Sequence, residues 1–418
     1  MNPAEKDALI IGGGVIGLSI GYYLAKNGHP VRIVEQDPTL LSSCSDGNAG
    51  MIVPSHFTPL AAPGVIGQGL KWMLNPKSPF FLRPRLDPAL ARWIWLFFRH
   101  SNAQHVRNSE GLLRDLGLES RRLHVELSKE EDFPLVEKGL LMLCQSQKGL
   151  DEEAEVADAA HRLGLEAEVC DSSRLKELEP NTRLNAQGGV WFPQDCHLLP
   201  SDFIQALRQA IIKHGGEFIH AEATTLLQSK GAIRGIRTAS GETHEAHTTI
   251  LAGGMATLDL ARQVDLKLPM QGGKGYSLSL PQPLKNPLLC ALLKEGRVAV
   301  TPMGDMLRIA GTMEICGSNT SISRPRLTGI IESFCRFYPD FQASEFENLT
   351  PWVGLRPCSP DGLPYLGTIP THSNLIVATG HAMMGLSLAP ITGKLVHQLL
   401  SEQAPSLDLT ALRPGRFG

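Results

Sequence analysis

The first apolar run of the chain, Ala8–Ile11, ends abruptly on three consecutive glycines. A short apolar run closed by a turn reads as a buried strand. Over 15–27 the spacing becomes helical, with Leu18, Tyr22 and Ala25 close to one face. Gly28 follows, where a helix end favours a left-handed residue. Residues 31–34 form a second β-rich run that closes on Glu35. Strand, glycine turn, helix and strand over about 30 residues predict a βαβ unit.

Pro and Gly are dense over 54–88, which reads as an excursion away from that unit. Helical periodicity returns over 114–129 and 151–163, with Gly164 after the second. The pattern over 201–214 is clearer: Ser201 is placed to cap the helix, Phe203, Leu207 and Ile211 share a face, and Gly215 and Gly216 end it. Strands are expected near 217–219, 232–238 and 244–250, the last running into Gly253 and Gly254. Further β-like pieces lie within 278–312, notably at 298–301 and 307–310. A helix is expected over 327–337 and a last buried strand over 375–378. A glycine turn and a helix from about 386 to 400 close the pattern, with Pro390 in the first turn, where a missing N–H costs little. There is no internal repeat.

Composition adds limits. The chain has 418 residues, 42% hydrophobic and 19% charged, which suits an ordinary globular protein of two domains, or of one large domain with a second element inserted into it. The net charge of -3, with mixed signs, gives no basic face for nucleic acid and no polybasic membrane signal. The eight cysteines contain no CxxC pair, so no metal or redox motif is read, and free thiols in a reducing compartment are expected. Neither a secretory signal nor an apolar run of about 20 residues is found. The expected location is the cytoplasm, or the inner membrane face if the aromatic segment 69–99 touches lipid. Burial of Trp72, Trp93, Trp95, Phe97 and Phe98 in the core or against a partner is the competing reading.

Chemistry first enters at the glycine turn. Gly12-Gly13-Gly14-Val15-Ile16-Gly17 fits the dinucleotide fingerprint GxGxxG. Gly12 would make the tight turn, Gly14 would admit a pyrophosphate to the backbone, and Gly17 would let helix and strand pack closely. The helix start, including Val15 and Ile16, offers free N–H groups and partial positive charge. Glu35, at the end of the second strand, is placed to accept hydrogen bonds from ribose hydroxyls. The fingerprint alone does not separate FAD from NAD.

The distal half does. Ser42-Ser43-Cys44-Ser45-Asp46-Gly47-Asn48-Ala49-Gly50, Lys274-Gly275-Tyr276-Ser277, and Gly354-Leu355-Arg356-Pro357 through Asp361-Gly362-Leu363-Pro364, followed by Gly380-His381 and Gly385, accompany the fingerprint. Together they give most of the chain a pattern that resembles the D-amino acid oxidase/dehydrogenase family of FAD enzymes, in particular its bacterial dehydrogenase branch. The resemblance implies an α/β fold: a discontinuous Rossmann-like FAD-binding domain (1–55, 145–265 and 345–418) and an α+β substrate domain with a mainly antiparallel sheet (56–144 and 266–344). It implies non-covalent FAD, because neither local context used for covalent flavin occurs. Gly253, Gly380, His381, Met384, Gly385 and Leu386 then join the fingerprint as candidate cofactor contacts, the stretch from His381 meeting the pyrimidine side of the flavin. Ser42, Ser43 and Ser45 would reach phosphate oxygens or satisfy their own loop, and Asn48, Ala49 and Gly50 would pass the ring.

For the substrate, the resemblance points to Arg356, whose guanidinium matches a carboxylate with two parallel hydrogen bonds; a structural ion pair is the alternative. Tyr276 would add a hydrogen bond to the same carboxylate or cap the pocket, or else pack in the core with its hydroxyl satisfied. His381 is read as scaffold more than base, His56 and His197 have less support still, and Cys358 is read as packing. The implied reaction is oxidation of a small D-amino or D-imino acid by hydride transfer from Cα to the flavin, giving an imine and then a 2-oxo acid. A quinone or another carrier would reoxidise the cofactor. D-proline or D-hydroxyproline dehydrogenase and an O₂-using glycine or sarcosine oxidase are alternatives of the same kind. An NAD-dependent dehydrogenase and a non-catalytic flavoprotein subunit are the alternatives of other classes. The oligomeric state stays open.

Overall fold

Ala8–Ile11 is buried on both faces, and burial on both faces marks a strand inside a parallel sheet covered by helices. The computed structural model describes residues 6–37, 39 and 43–418. Ala8–Ile11 pairs parallel with Val31–Glu35 on one side and Thr248–Leu251 on the other. Glu217–His220 extends the sheet beyond Val31–Glu35, and His372–Thr379 lies parallel beside Thr248–Leu251. Tyr365–Ile369 closes that edge antiparallel. The helix Val15–Lys26 covers one face and packs on helices Pro200–Lys213 and Ala389–Leu400. Gly393 makes the last contact close: a Cβ there would stand 2.5 Å from the Ser19 carbonyl oxygen.

A second sheet is mainly antiparallel. Its spatial order runs Trp352–Cys358, Gln271–Pro281, Met306–Ile315, Val298–Met303, Cys290–Leu293, Leu140–Cys144, Gly188–Phe192, Glu168–Asp171. Phe80–Leu82 adds alongside the end of Met306–Ile315. Helix Arg324–Phe337 backs this sheet through Phe334 and Phe337, which pack with Tyr338, Phe341 and Phe346. Residues 168–171 and 188–192 fall in the range expected for the nucleotide-binding unit, yet they pair in this second sheet.

The segment 46–49 is tied to the second sheet. Arg308 donates through Nη1 to the carbonyls of Asp46 (2.9 Å) and Asn48 (2.8 Å), and Thr301 donates to the Ala49 carbonyl at 2.7 Å.

Several expectations move. Ser201 is not the cap: the helix starts at Pro200, which has no N–H to be capped, and Leu199 precedes it without a side-chain hydrogen bond. The strand expected over 244–250 is two strands, Thr243–Glu245 and Thr248–Leu251, in different sheets. Asp7 separates them by accepting from the amides of His247 and Thr248. Residues 382–384 form a 3-10 turn, and the last helix begins only at Ala389.

The aromatic segment divides its residues. In helix Pro88–His100, capped by the Asp87 side chain, Leu90, Trp93 and Leu96 face inward, while Trp95 and Phe98 stay exposed. Trp93 stacks on Phe97 and donates to the Cys358 carbonyl at 2.9 Å. Among the described residues, no helix is long and apolar enough to cross a membrane.

Candidate active site

One cavity of about 990 Å³ runs from the first glycine turn to the Trp352–Cys358 strand. At its nucleotide end, Gly12 has φ +109°, and a Cβ there would meet Gly253 Cα and the Ala252 carbonyl oxygen, both at 2.7 Å. Only glycine fits where two strand ends approach so closely. Gly17 lies under the turn, with the Gly12 carbonyl where its side chain would be. Gly14, Val15 and Ile16 line the cavity, and the helix start has no side-chain cap of its own. Its Val15 amide is met instead by Ser45 Oγ at 3.1 Å.

Glu35 lines the same end and accepts from the amides of Gly13 (2.6 Å) and Asp37 (2.9 Å). Its carboxylate therefore holds the fingerprint turn to the second strand, a role the sequence reading did not give it. Ser43, Ser45, Asn48 and Ala49 line the wall beyond. Ser42 lies outside the described residues. Gly50 stands just behind this wall with φ +75° and no room for a side chain against Leu198.

His381, Met384, Gly385 and Leu386 line the other side, together with Gly253. Gly380, at φ +78°, lies behind them against Tyr365. His381 is buried and its Nε2 meets Thr392 Oγ1 at 3.0 Å. Thr392 gives its own hydrogen to the Leu388 carbonyl, so His381 is the donor of the pair. Burial pushes this imidazole down to about 3, which keeps it neutral, and leaves Nδ1 an acceptor with no partner among the described residues. That orphaned acceptor, the glycine-walled turn and a helix start whose Gly14 offers no side-chain cap fit a large polar cofactor with an anionic middle.

Arg356 sits on the strand Trp352–Cys358, whose residues pair with Gln271–Pro281 in the register Gly273 to Arg356 and Gly275 to Gly354. Its guanidinium lies in the space above Gly275. Nη1 donates to the Thr312 carbonyl at 2.8 Å. Thr312 has φ +67°, a strained backbone for a β-branched residue, at the irregularity where Gln271–Pro281 and Met306–Ile315 slip register. Burial draws Arg356 below the ordinary guanidinium range, and its ionisable neighbours are the thiols of Cys358 and Cys44, which burial keeps protonated. Among the described residues no carboxylate pairs with it. The arginine thus faces the cavity with donors to spare. Sequence pattern gave no hint of Thr312; a β-branched residue inside a strand carries no signal of positive φ.

Tyr276 also lines the cavity, but its hydroxyl is engaged elsewhere. It donates to Glu314 and accepts from the Ser323 amide at 3.1 Å. Glu314 is flanked by Arg326 (3.3 Å) and Lys274 (3.7 Å), and Lys274 donates to Asn319 and to the Ser321 carbonyl. The polar members of Lys274-Gly275-Tyr276 therefore form a buried cluster that ties down residues 319–323. Cys358 is fully buried among Trp93, Met313 and Ile315, and Cys44 donates to the Leu355 carbonyl at 2.6 Å. His56 lines the cavity, while His197 is buried with Nδ1 unpartnered among the described residues.

Known proteins similar to this chain share its fold over nearly its whole length. The family model described as FAD dependent oxidoreductase (DAO) matches residues 7–399. A D-amino acid dehydrogenase of Methylobacterium nodulans is 32% identical over 425 residues, covering 98% of each chain. A D-amino acid dehydrogenase of Vibrio atlanticus is 31% identical over 423 residues, covering 98% of this chain and all of its own. Among solved structures, glycine oxidase from Geobacillus kaustophilus superposes with a TM-score of 0.78 at 26% identity, covering 99% of each chain.

Proposed function

The chain belongs to the DAO family of FAD-dependent oxidoreductases, and on that premise we propose that it oxidises the amine carbon of a small D-amino or D-imino acid held by Arg356. FAD, when bound, supplies the two-electron acceptor for the Cα hydride. Gly12, Gly14 and the start of helix Val15–Lys26 would hold its pyrophosphate, and the 381–386 turn would meet its ring. Arg356 binds the substrate carboxylate with its free donors, while Thr312 and the glycine floor at Gly275 fix the plane of the guanidinium. Rigid mounting matters because a misplaced substrate loses much of the advantage of proximity. The imine product takes up water to give a 2-oxo acid and ammonia; a cyclic substrate leaves as a cyclic imine.

The observation that carries this reading is the cavity-facing guanidinium without a carboxylate partner among the described residues. D-handedness is supported by relatives 30–32% identical over nearly the whole chain, each a D-amino acid dehydrogenase. The test is anaerobic bleaching of the bound flavin by a panel of D- and L-amino acids. Bleaching by D-isomers alone supports the reading, and a flavin that no amino acid reduces ends it.

For the acceptor we infer an apolar carrier of the quinone type, met at a membrane face. Leu70, Ile94, Phe98 and Met383 are exposed and line the same cavity; Leu74, just after the helix Val65–Met73, and Trp95, on helix Pro88–His100, are exposed beside them. A cluster of exposed apolar side chains of this kind marks an interaction surface. Flotation with liposomes, and turnover with a short-chain quinone against O₂, test the inference; a protein that neither floats nor reduces the quinone contradicts it.

A further inference from the structure

His56 lines the cavity and has no part in the reading above. Its Nδ1 lies 3.3 Å from Ser55 Oγ. Ser55 Oγ meets Asp195 Oδ2 at 2.5 Å, and the Ser55 amide reaches Asp195 Oδ1 at 3.2 Å. Asp195 is fully buried and forms no ion pair among the described residues. A buried carboxylate without an ion-pair partner is costly. Here it stands two hydrogen bonds from a histidine on the cavity wall.

We propose that His56, Ser55 and Asp195 form a relay that takes the amine proton from the bound substrate. The inference rests on the amino-acid-oxidising function proposed above. An amino acid arrives as an ammonium, whose nitrogen has no lone pair to drive departure of the Cα hydride. The relay supplies one in a balanced step. A proton passes from the ammonium nitrogen to His56 Nε2, the Nδ1 proton passes to Ser55 Oγ, and the Ser55 hydroxyl proton passes to Asp195 Oδ2. The products are a neutral amine, a neutral imidazole of the other tautomer, serine and a neutral carboxyl; no electrons change hands.

The surroundings favour this direction. Burial pushes the Asp195 carboxyl up to about 7, so its neutral form is the one the interior accepts. Arg121 is the cation near it, Cys196 and Cys290 are its neighbouring thiols, and Glu137 lies close to Cys196. Burial and the nearby Arg297 push His56 down to about 4, so the imidazole passes the proton on instead of keeping it.

The test is stopped-flow reduction of the holoenzyme flavin by a D-amino acid, followed against pH. In the wild type the rate rises as pH passes the ionisation of Asp195, near neutrality. In Asp195→Asn and Ser55→Ala that limb is lost. The rate then tracks the free amine, starting at least ~100-fold lower at pH 7 and converging on the wild type at alkaline pH, as for loss of one general base. His56→Ala, a change at the cavity wall, shows the same profile and recovers with added imidazole. Variants that retain flavin and keep the wild-type limb overturn the relay, as does His56→Ala without imidazole rescue. If no D-amino acid bleaches even the wild type, it is the proposed function that fails.

Discussion

The guanidinium of Arg356 occupies the space that a side chain at Gly275 would fill. The two residues sit on neighbouring antiparallel strands, and the missing side chain lets a long arginine lie flat against the sheet. The Lys-Gly-Tyr and Arg-Pro motifs, about 80 residues apart, are thus two halves of one construction. Gly275→Ala places a methyl group in that space and tilts the fork. The expected outcome is a rise in KM of roughly tenfold or more, with flavin content retained and kcat changed less, as for the loss of about one charged hydrogen bond. Steady-state kinetics with flavin absorbance check it.

Tyr276 behaves differently. Its hydroxyl satisfies Glu314, and both burial and that carboxylate raise its pKa. Tyr276→Phe is expected to leave KM within about twofold and to lower stability by about 1–3 kcal/mol, because Glu314 loses a donor in the interior. Thermal or denaturant unfolding beside substrate kinetics separates this from a substrate contact, for which KM would rise with stability unchanged.

Gly17→Ala drives a methyl group into the Gly12 carbonyl and forces helix Val15–Lys26 off its strand. Flavin should be lost on purification and the melting temperature should fall. The absorbance ratio of flavin to protein is the measurement, and a fully loaded variant would count against the packing role of this glycine.

Stability should fall on the acid side. Burial holds four histidines, His56, His124, His197 and His381, neutral, with pKa values of about 4, 4, 4 and 3 against an ordinary 6.5. A depressed folded-state pKa gives stability that is present above the unfolded value and lost as pH falls. Asp195 and Glu179 act in the opposite sense, because their raised pKa values favour the folded state below neutrality, but they stand against these four histidines and His397, which burial also lowers. The melting temperature should therefore decline from pH 6.5 toward pH 4, and the decline should steepen in Asp195→Asn. A flat profile over that window contradicts the assignment.

What the sequence revealed followed from local rules. The strand–glycine–helix–strand start was legible because each glycine answers a backbone need that nothing else meets at Gly12 and Gly17. Strands Val298–Met303 and Met306–Ile315 and most helices were legible from period and punctuation, whereas Leu140–Cys144, Glu168–Asp171, Gly188–Phe192 and Trp352–Cys358 of the same antiparallel sheet were not. Ser201 misled because a serine beside a proline looks like a cap, whereas the helix takes in Pro200 as its first residue and Ser201 already lies inside the first turn. The 244–250 region misled because a continuous β-rich pattern does not show that Asp7, far away in sequence, will divide it. The partners of Arg356 and the fate of the Tyr276 hydroxyl were not legible. They depend on a register slip at Thr312 and on Glu314, and both arise only when three strands meet. The same holds for Ser55 and Asp195, which are 140 residues apart.

The most direct test of the account asks whether Arg356 reads the substrate carboxylate. Anaerobic flavin reduction gives the dissociation constants of a D-amino acid and of its carboxamide, which lacks the negative charge, for wild type and for Arg356→Ala. The wild type should bind the acid about 10–150-fold more tightly than the amide, the worth of about 1.5–3 kcal/mol for a hydrogen bond to a charged group. Arg356→Ala, still carrying flavin, should lose that preference. A variant that prefers the acid as strongly as the wild type does would show that the carboxylate is held elsewhere.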